Sequence, residues 1–317
     1  MSSCLVLLNP SAAGGRAARL RAPMRAWLAR HAPAVPLIEP DSIERARATL
    51  QCLPARSRVV LVGGDGTLHH MLPALLTHRH TLGVVAVGSG NDAARAFGLH
   101  ALAWPQALEL ALAGAPRRVD TGELHVGGRC VPFLSSLAAG FDAAVAQRAL
   151  AGPAWLAGRP RYVWATLREL AALRRWSVRL ACDGAALDRH AARTLLFAST
   201  LNTPTYGAGM PAAPCASIDD GRLDLLVAGR FGRAGVLRML PLLMRGRHLG
   251  HPQVALHRFE TLRVESNPAL PLAADGEPLA AATNFEVRVR AAGLSVVTDA
   301  TGSRPVAPRD NAIGHPK

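Results

Sequence analysis

Lysine is nearly missing from this chain. Of its 36 basic residues only Lys317 is a lysine, and they face 22 acidic residues, for a formal charge of +14. Arginine has replaced lysine throughout, which weakens charge as a pointer to a partner, although an anionic surface such as acidic lipid headgroups would attract it. Aromatic residues make up only 4% of the chain and interleave with no basic stripe, which argues against nucleic acid as partner. The five cysteines, at 4, 52, 130, 182 and 215, form no C-x-x-C pair, so neither a disulfide framework nor a zinc site follows. The twelve histidines show no ligand spacing; His69 and His70 are adjacent and read as surface or helix-end groups. No apolar run is long enough to cross a bilayer and no charged-then-apolar leader is present, so a cytoplasmic protein without a transmembrane segment is expected. No internal repeat is evident.

What is present centres on residues 59–70, Val-Val-Leu-Val-Gly-Gly-Asp-Gly-Thr-Leu-His-His. Four apolar residues, three of them β-branched, read as a buried strand of a parallel sheet. Gly63, Gly64 and Gly66 then allow close backbone approach, and Thr67 can cap a following helix whose free N–H groups face an anion. Asp65 is the odd member, because a carboxylate beside phosphate is repulsive unless a cation or a proton transfer stands between them. Magnesium nucleotide chemistry supplies that reason. The plainer reading is a tight turn between any strand and helix. The pattern is neither the Walker loop nor a dinucleotide G-x-G-x-x-G.

Around this stretch strands and helices alternate. Residues 4–8 predict a strand, 17–31 a helix, 35–38 a strand and 41–53 a helix opened by Asp41 or Ser42. Pro73 should kink the helix after Thr67 or delay its start. Strand 82–87 leads into Gly88-Ser89-Gly90-Asn91-Asp92, a second glycine turn that would face the same crevice as the first. Such alternation predicts an open parallel sheet with its ligand at the carboxyl ends of the strands. After helix 104–113 the texture changes to strands at 131–137, 176–182, 193–201, 223–228, 261–265 and 286–298, with a helix over 161–175. A basic amphipathic helix follows around Leu237–Met244. The expected fold is therefore α/β plus β: an α/β domain over 1–124, a mainly β domain over 125–285, and a tail over 301–317 expected to be disordered.

Asn9-Pro10, Gly63-Gly64-Asp65-Gly66-Thr67, Gly88-Ser89-Gly90-Asn91-Asp92-Ala93-Ala94-Arg95, Asp120-Thr121-Gly122 and Asp275-Gly276-Glu277 occur in that order. Together they resemble the diacylglycerol kinase catalytic family, in its soluble bacterial lipid-kinase branch, which is similar to sphingosine and ceramide kinases. Gly207-Ala208-Gly209-Met210 and Asp219-Asp220-Gly221-Arg222-Leu223-Asp224 resemble that family's second domain.

The resemblance implies a nucleotide domain like those of NAD kinase and phosphofructokinase, a β-sandwich after it, and a strand within 286–298 that returns to the first domain. It implies ATP and Mg²⁺ in an interdomain cleft, and a lipid hydroxyl, such as that of diacylglycerol, as acceptor at the inner face of an anionic membrane. A homodimer is among the assemblies it allows. Asn9, Gly64, Asp65, Gly66, Thr67, Ser89, Asn91, Asp92 and Asp120 would hold the nucleotide and its metal. Asp275 would take the proton from the lipid hydroxyl, assisted by Glu277, with Asp65 at the reacting phosphate. Asp219, Asp220, the Leu223 carbonyl and Asp224 would hold a structural magnesium ion; the plainer reading of Asp-Asp-Gly is a hairpin turn.

Three features depart from the family pattern. The first loop is longer, which leaves open whether Arg16 reaches phosphate; His70 stands where Glu is usual; and Ser89 replaces a Thr. Two alternatives remain: an NAD kinase-like small-molecule kinase, and a noncatalytic anionic-membrane binder on the same fold.

Overall fold

The computed structural model describes residues 3–299 except 89, 154, 157–158 and 188–191. Ser89 and the tail over 301–317 therefore lie outside the described residues.

The first half contains β1 (Cys4–Leu8), α1 (Arg21–His31), β2 (Leu37–Ile38), α2 (Ile43–Cys52), β3 (Arg58–Gly63), α3 (Asp65–Thr77), β4 (Thr81–Ala86), α4 (Asp92–Ala96) and α5 (Trp104–Ala113). Its strands pair in parallel in the order β2-β1-β3-β4. The unbroken apolar run of β3 is explained by burial on both faces. Val59 and Leu61 pack with Leu50, Met71, Leu72 and Leu75 on one side. Val60 and Val62 pack with Met24, Leu28 and Leu108 on the other.

Local chemistry sets the helix starts. Ser42 caps α2 by accepting the Arg45 N–H at 3.1 Å. Gly14 and Gly15 have φ of 66° and 86°, and the helix expected from residue 17 opens as a 3₁₀ turn over Arg16–Leu20 before α1 begins. Neither a late start nor a break is seen in α3, which runs from Asp65 to Thr77 through Pro73. Pro73 is exposed, so solvent can take the carbonyl left without its N–H donor.

The second half follows with β5 (Pro116–Val126), β6 (Arg129–Phe133), β7 (Ser136–Ala139), α6 (Phe141–Leu150), α7 (Arg159–Ala171), β8 (Trp176–Cys182), β9 (Ala185–Ala186), β10 (Arg193–Leu195) and β11 (Phe197–Leu201). It ends with β12 (Leu223–Ala228), α8 (Arg233–Met244), β13 (Val254–Phe259), β14 (Thr261–Ala274) and β15 (Glu277–Val297). The strand expected over 131–137 is two strands, β6 and β7. The chain breaks between them at Leu134–Ser135, whose N–H groups turn to a side chain instead of a ladder. Helix α6 and strand β13 were not among the expected elements.

A second core, with Phe133, Leu180, Leu225, Phe259 and Leu272, fills this half. Strand β15 serves both halves. It pairs antiparallel with β14 and β5, and at its end Ser295 and Val296 pair in parallel with Thr81 and Leu82 of β4. Among the described residues no helix is long and apolar enough to cross a membrane. All five cysteines are free thiols.

Candidate active site

The two glycine turns lie back to back at the carboxyl ends of β3 and β4. A Cβ on Gly64 would stand 2.9 Å from the Gly88 Cα, and one on Gly90 would stand 2.8 Å from an Asp65 carboxylate oxygen. Only glycine permits that approach. Asn9, at the end of β1, donates its side-chain N–H to the Thr67 hydroxyl at 2.8 Å, which ties the first loop to the start of α3. Arg16 is exposed, and its Nε donates to the Ala13 carbonyl at 3.0 Å.

Asp65 is half-buried and poorly supplied with donors. Its oxygens accept from the Asp92 and Ala93 N–H groups at 3.3 and 3.4 Å, long for hydrogen bonds. Burial, and then the neighbouring Asp92 charge, pushes its carboxyl up to about 6. Asn91 donates to the Gly88 carbonyl at 2.8 Å, which fixes its amide, and its Oδ1 is buried without a partner. A hard-oxygen set short of donors is what a magnesium ion would satisfy.

Asp92 has another occupation. Its carboxylate accepts from the Thr205 hydroxyl at 2.8 Å, the Ala208 N–H at 3.0 Å and the Gly209 N–H at 2.8 Å, and so clamps the 205–209 loop of the second half onto the first. Asp120 is not brought to this cavity. It is 2% exposed and accepts from the Gly221 N–H at 2.7 Å and the Ala292 N–H at 2.6 Å.

Opposite Asp65, Asp275 and Gly276 have φ of 50° and 87° and form the two-residue turn between β14 and β15. An Asp-Gly pair suits such a turn because both positions need positive φ. The turn aims Asp275 at the break between β6 and β7, where it accepts the N–H groups of Leu134 at 2.9 Å, Ser135 at 2.7 Å and Ser136 at 3.2 Å. His69 Nδ1 lies 3.1 Å from its other face. His69 is only 9% exposed, so of the two expected placements, surface or helix end, it takes the helix end. His70 Nε2 stands 3.8 Å from Glu277, so it too belongs to the site. The sequence signal missed was helical order: both histidines sit in the first turns of α3, where the β14–β15 turn meets them.

One cavity of about 770 Å³ joins these groups. Asn9, Gly64, Asp65, Gly66, Thr67 and Asp92 line one end, and Asp275 and Glu277 stand along it. The other end is apolar, walled by Val145, Leu196, Phe231, Val236, Met239 and Leu243.

Asp219 and Asp220 sit elsewhere and meet cations. Asp219 pairs with Arg117 at 3.3 Å and Asp220 pairs with Arg258. Asp224 is 3% exposed on β12, and burial pushes its carboxyl up to about 6. Leu223 is fully buried beside it. Among the described residues only Glu123, His125 and Cys130 bring three ligating side-chain atoms within 4.8 Å of one another.

Two glycine loops facing carboxylates across a cleft, on this sheet, fit a class: a kinase with an NAD kinase-like fold. Residues 3–124 match the family described as diacylglycerol kinase catalytic domain, and residues 135–298 match the YegS C-terminal NAD kinase beta sandwich-like domain. The diacylglycerol kinase of Mycobacterium tuberculosis is 34% identical over 220 residues, covering 69% of this chain and 70% of its own. That of Bacillus subtilis is 27% identical over 221 residues, with coverage of 69% and 70%. A crystal structure titled as a diacylglycerol kinase from Bacillus anthracis shares the fold at a TM-score of 0.68, with 15% identity and coverage of 95% and 98%. An NAD kinase from Archaeoglobus fulgidus matches at 0.52, with 14% identity and coverage of 95% of each chain. The chain belongs to the diacylglycerol kinase family, in its bacterial lipid-kinase branch.

Proposed function

We propose that this protein transfers the γ-phosphoryl group of ATP to a hydroxyl of a membrane lipid such as diacylglycerol, at an anionic membrane surface. The observation that carries this reading is the single cavity running from the glycine loops, past Asp65 and Asp275, into an apolar chamber. A polar acceptor as large as NAD would leave that chamber unused.

The glycine loops and the start of α3 bind the ATP phosphates through main-chain N–H groups, and Thr67 adds a hydroxyl oriented by Asn9. Asp65 and the unpartnered Asn91 Oδ1 are the groups that would hold Mg²⁺, which when bound neutralises charge on the phosphate oxygens. Asp275 receives the proton of the lipid hydroxyl. Its three N–H donors and His69 fix the carboxylate in place, and phosphoryl transfer depends on positioning more than on a strong base. Glu277, nearer the solvent, assists. Asp92 acts by holding the two halves in register, and Asp120 by tying the Gly221 turn and β15 to β5.

Incubation with γ-labelled ATP, Mg²⁺ and total lipid in mixed micelles tests the reading. A labelled lipid made by the wild type and not by Asp65→Ala is expected. Label appearing only in NADP when NAD is supplied would replace it with the small-molecule kinase alternative.

A further inference from the structure

The apolar chamber holds a carboxylate that the phosphoryl chemistry does not use. Asp142, in the first turn of α6, lines the cavity among Phe141, Val145, Leu196 and Phe197. Its Oδ1 accepts the Ala143 N–H at 2.9 Å, and its Oδ2 accepts the Ser199 hydroxyl. Ser199 accepts in turn from the Ala139 N–H at 3.1 Å, so its one proton is committed to Asp142. Among the described residues no cation pairs with Asp142. Burial pushes its carboxyl up to about 6 and holds the phenol of Tyr206 high, with the Asp142 charge adding to the second effect.

An ionised carboxylate accepts hydrogen bonds and donates none, and each oxygen keeps a lone pair after the contacts above. A bound lipid expels the water that could fill those positions, so a lipid that brings a donor keeps the carboxylate paired, whereas one without a donor forces it to take up a proton. The chamber carboxylate and the proposed base are tied to one strand: Asp275 accepts the Ser136 N–H and Ser199 the Ala139 N–H, both on β7.

We propose that Asp142, oriented by Ser199, binds a second hydroxyl or ammonium group on the acceptor, besides the hydroxyl that is phosphorylated. The favoured acceptor is then a lipid with a second donor in its head, a monoacyl diol or a long-chain amino alcohol. A fully esterified diacylglycerol offers only carbonyl acceptors at that position. This inference rests on the lipid-kinase reading and narrows it.

The full chain with Mg²⁺ and ATP is assayed in mixed micelles against 1-monooleoylglycerol, sphinganine and 1,2-dioleoylglycerol. In the wild type, kcat/KM for at least one two-donor lipid should exceed that for dioleoylglycerol by roughly tenfold or more. Which of the two is favoured distinguishes hydroxyl from ammonium. Asp142→Leu should collapse the advantage with the KM for ATP unchanged. Asp142→Asn, whose NH₂ can meet an ester carbonyl, should shift preference toward dioleoylglycerol, and it carries the test if the leucine variant does not fold. A wild type that prefers dioleoylglycerol, or a preference that survives both substitutions, overturns the proposal. If no lipid is phosphorylated, the lipid-kinase reading fails, and thermal shift with the same three lipids decides this one. Stabilisation by the two-donor lipids that Asp142→Asn abolishes keeps the assignment, and equal shifts by all three end it.

Discussion

The two ends of the cavity are built from different materials. At the glycine end the surface is main chain, with Gly64 and Gly88 so close that side chains are shut out. In the chamber the surface is side chain, contributed by α6, β11 and α8. Triphosphate is the same in every ATP, so a wall of N–H groups suffices for it. An acceptor varies, and only side chains can be varied to suit it. Between the ends stand the carboxylates, and they too divide. Asp65 is short of partners, whereas Asp92 and Asp275 are filled with N–H and O–H donors.

That division ranks the effects of removing each carboxylate. Asp65→Ala should lower kcat by on the order of 10³-fold, because an electrostatic element at the transferring phosphate is lost. Folding should be little changed, since the long contacts of Asp65 contribute little. Wild-type turnover by the alanine variant would remove the metal role assigned to Asp65. Asp92→Ala should do the reverse. Three donors of the 205–209 loop lose their acceptor, which costs about 2–3 kcal/mol in a urea melt. The Michaelis constants for ATP and lipid should rise together because the halves lose register. An unaltered melt with a changed KM for ATP alone would return Asp92 to direct nucleotide contact.

The glycine wall allows a finer contrast. A methyl at Gly64 meets the Gly88 backbone at 2.9 Å, which cannot move without its loop; one at Gly66 meets only the end of Glu277 at 2.6 Å. Gly64→Ala should therefore raise the KM for ATP by about tenfold, as a shift of about an ångström in a positioned site does. Gly66→Ala should raise it far less. Equal effects would mean that the wall is not held by the contact between loops.

The same contrast explains what could be read without coordinates. Glycine turns, the Asp-Gly hairpin and the apolar run of β3 encode their conformations locally, so the cradle and Asp275 were legible as a linear pattern. Helix α6 was not. Its Ala-rich stretch, Phe141–Leu150, has little contrast between faces, and only the packing of Val145 and Ala149 on the second core makes it an element. Asp142 and Ser199 are 57 residues apart and meet only because β11 pairs with β7. Asp92 and Asp120 were recognised as important, but their partners lie more than 100 residues away, so no local pattern could show that they bind loops. His69 was placed at a helix end, but its burial was not legible because it depends on the β14–β15 turn arriving from the other end of the chain.

The smallest expected effect tests whether the Asp142 charge is kept for a purpose other than stability. Its folded carboxyl is raised from 3.8 to about 6, so its contribution to stability is complete below 3.8 and is lost as pH rises through 6. Asparagine suffers no such loss. The groups facing it, the Ser199 hydroxyl, the Ala143 N–H and the Tyr206 phenol, do not titrate in that window. A shift of about two units sets a ceiling of ~3 kcal/mol. Water in the open cavity should reduce this to about 1 kcal/mol, or about 2 °C in Tm for a chain of this size. Thermal melts of wild type and Asp142→Asn between pH 4.5 and 7.5 should thus diverge with rising pH, the variant being the more stable at the upper end. A variant that is less stable at every pH would make Asp142 a structural hydrogen-bonding group. A variant that gains stability while losing its acceptor preference would show a charge retained against stability because the lipid needs it.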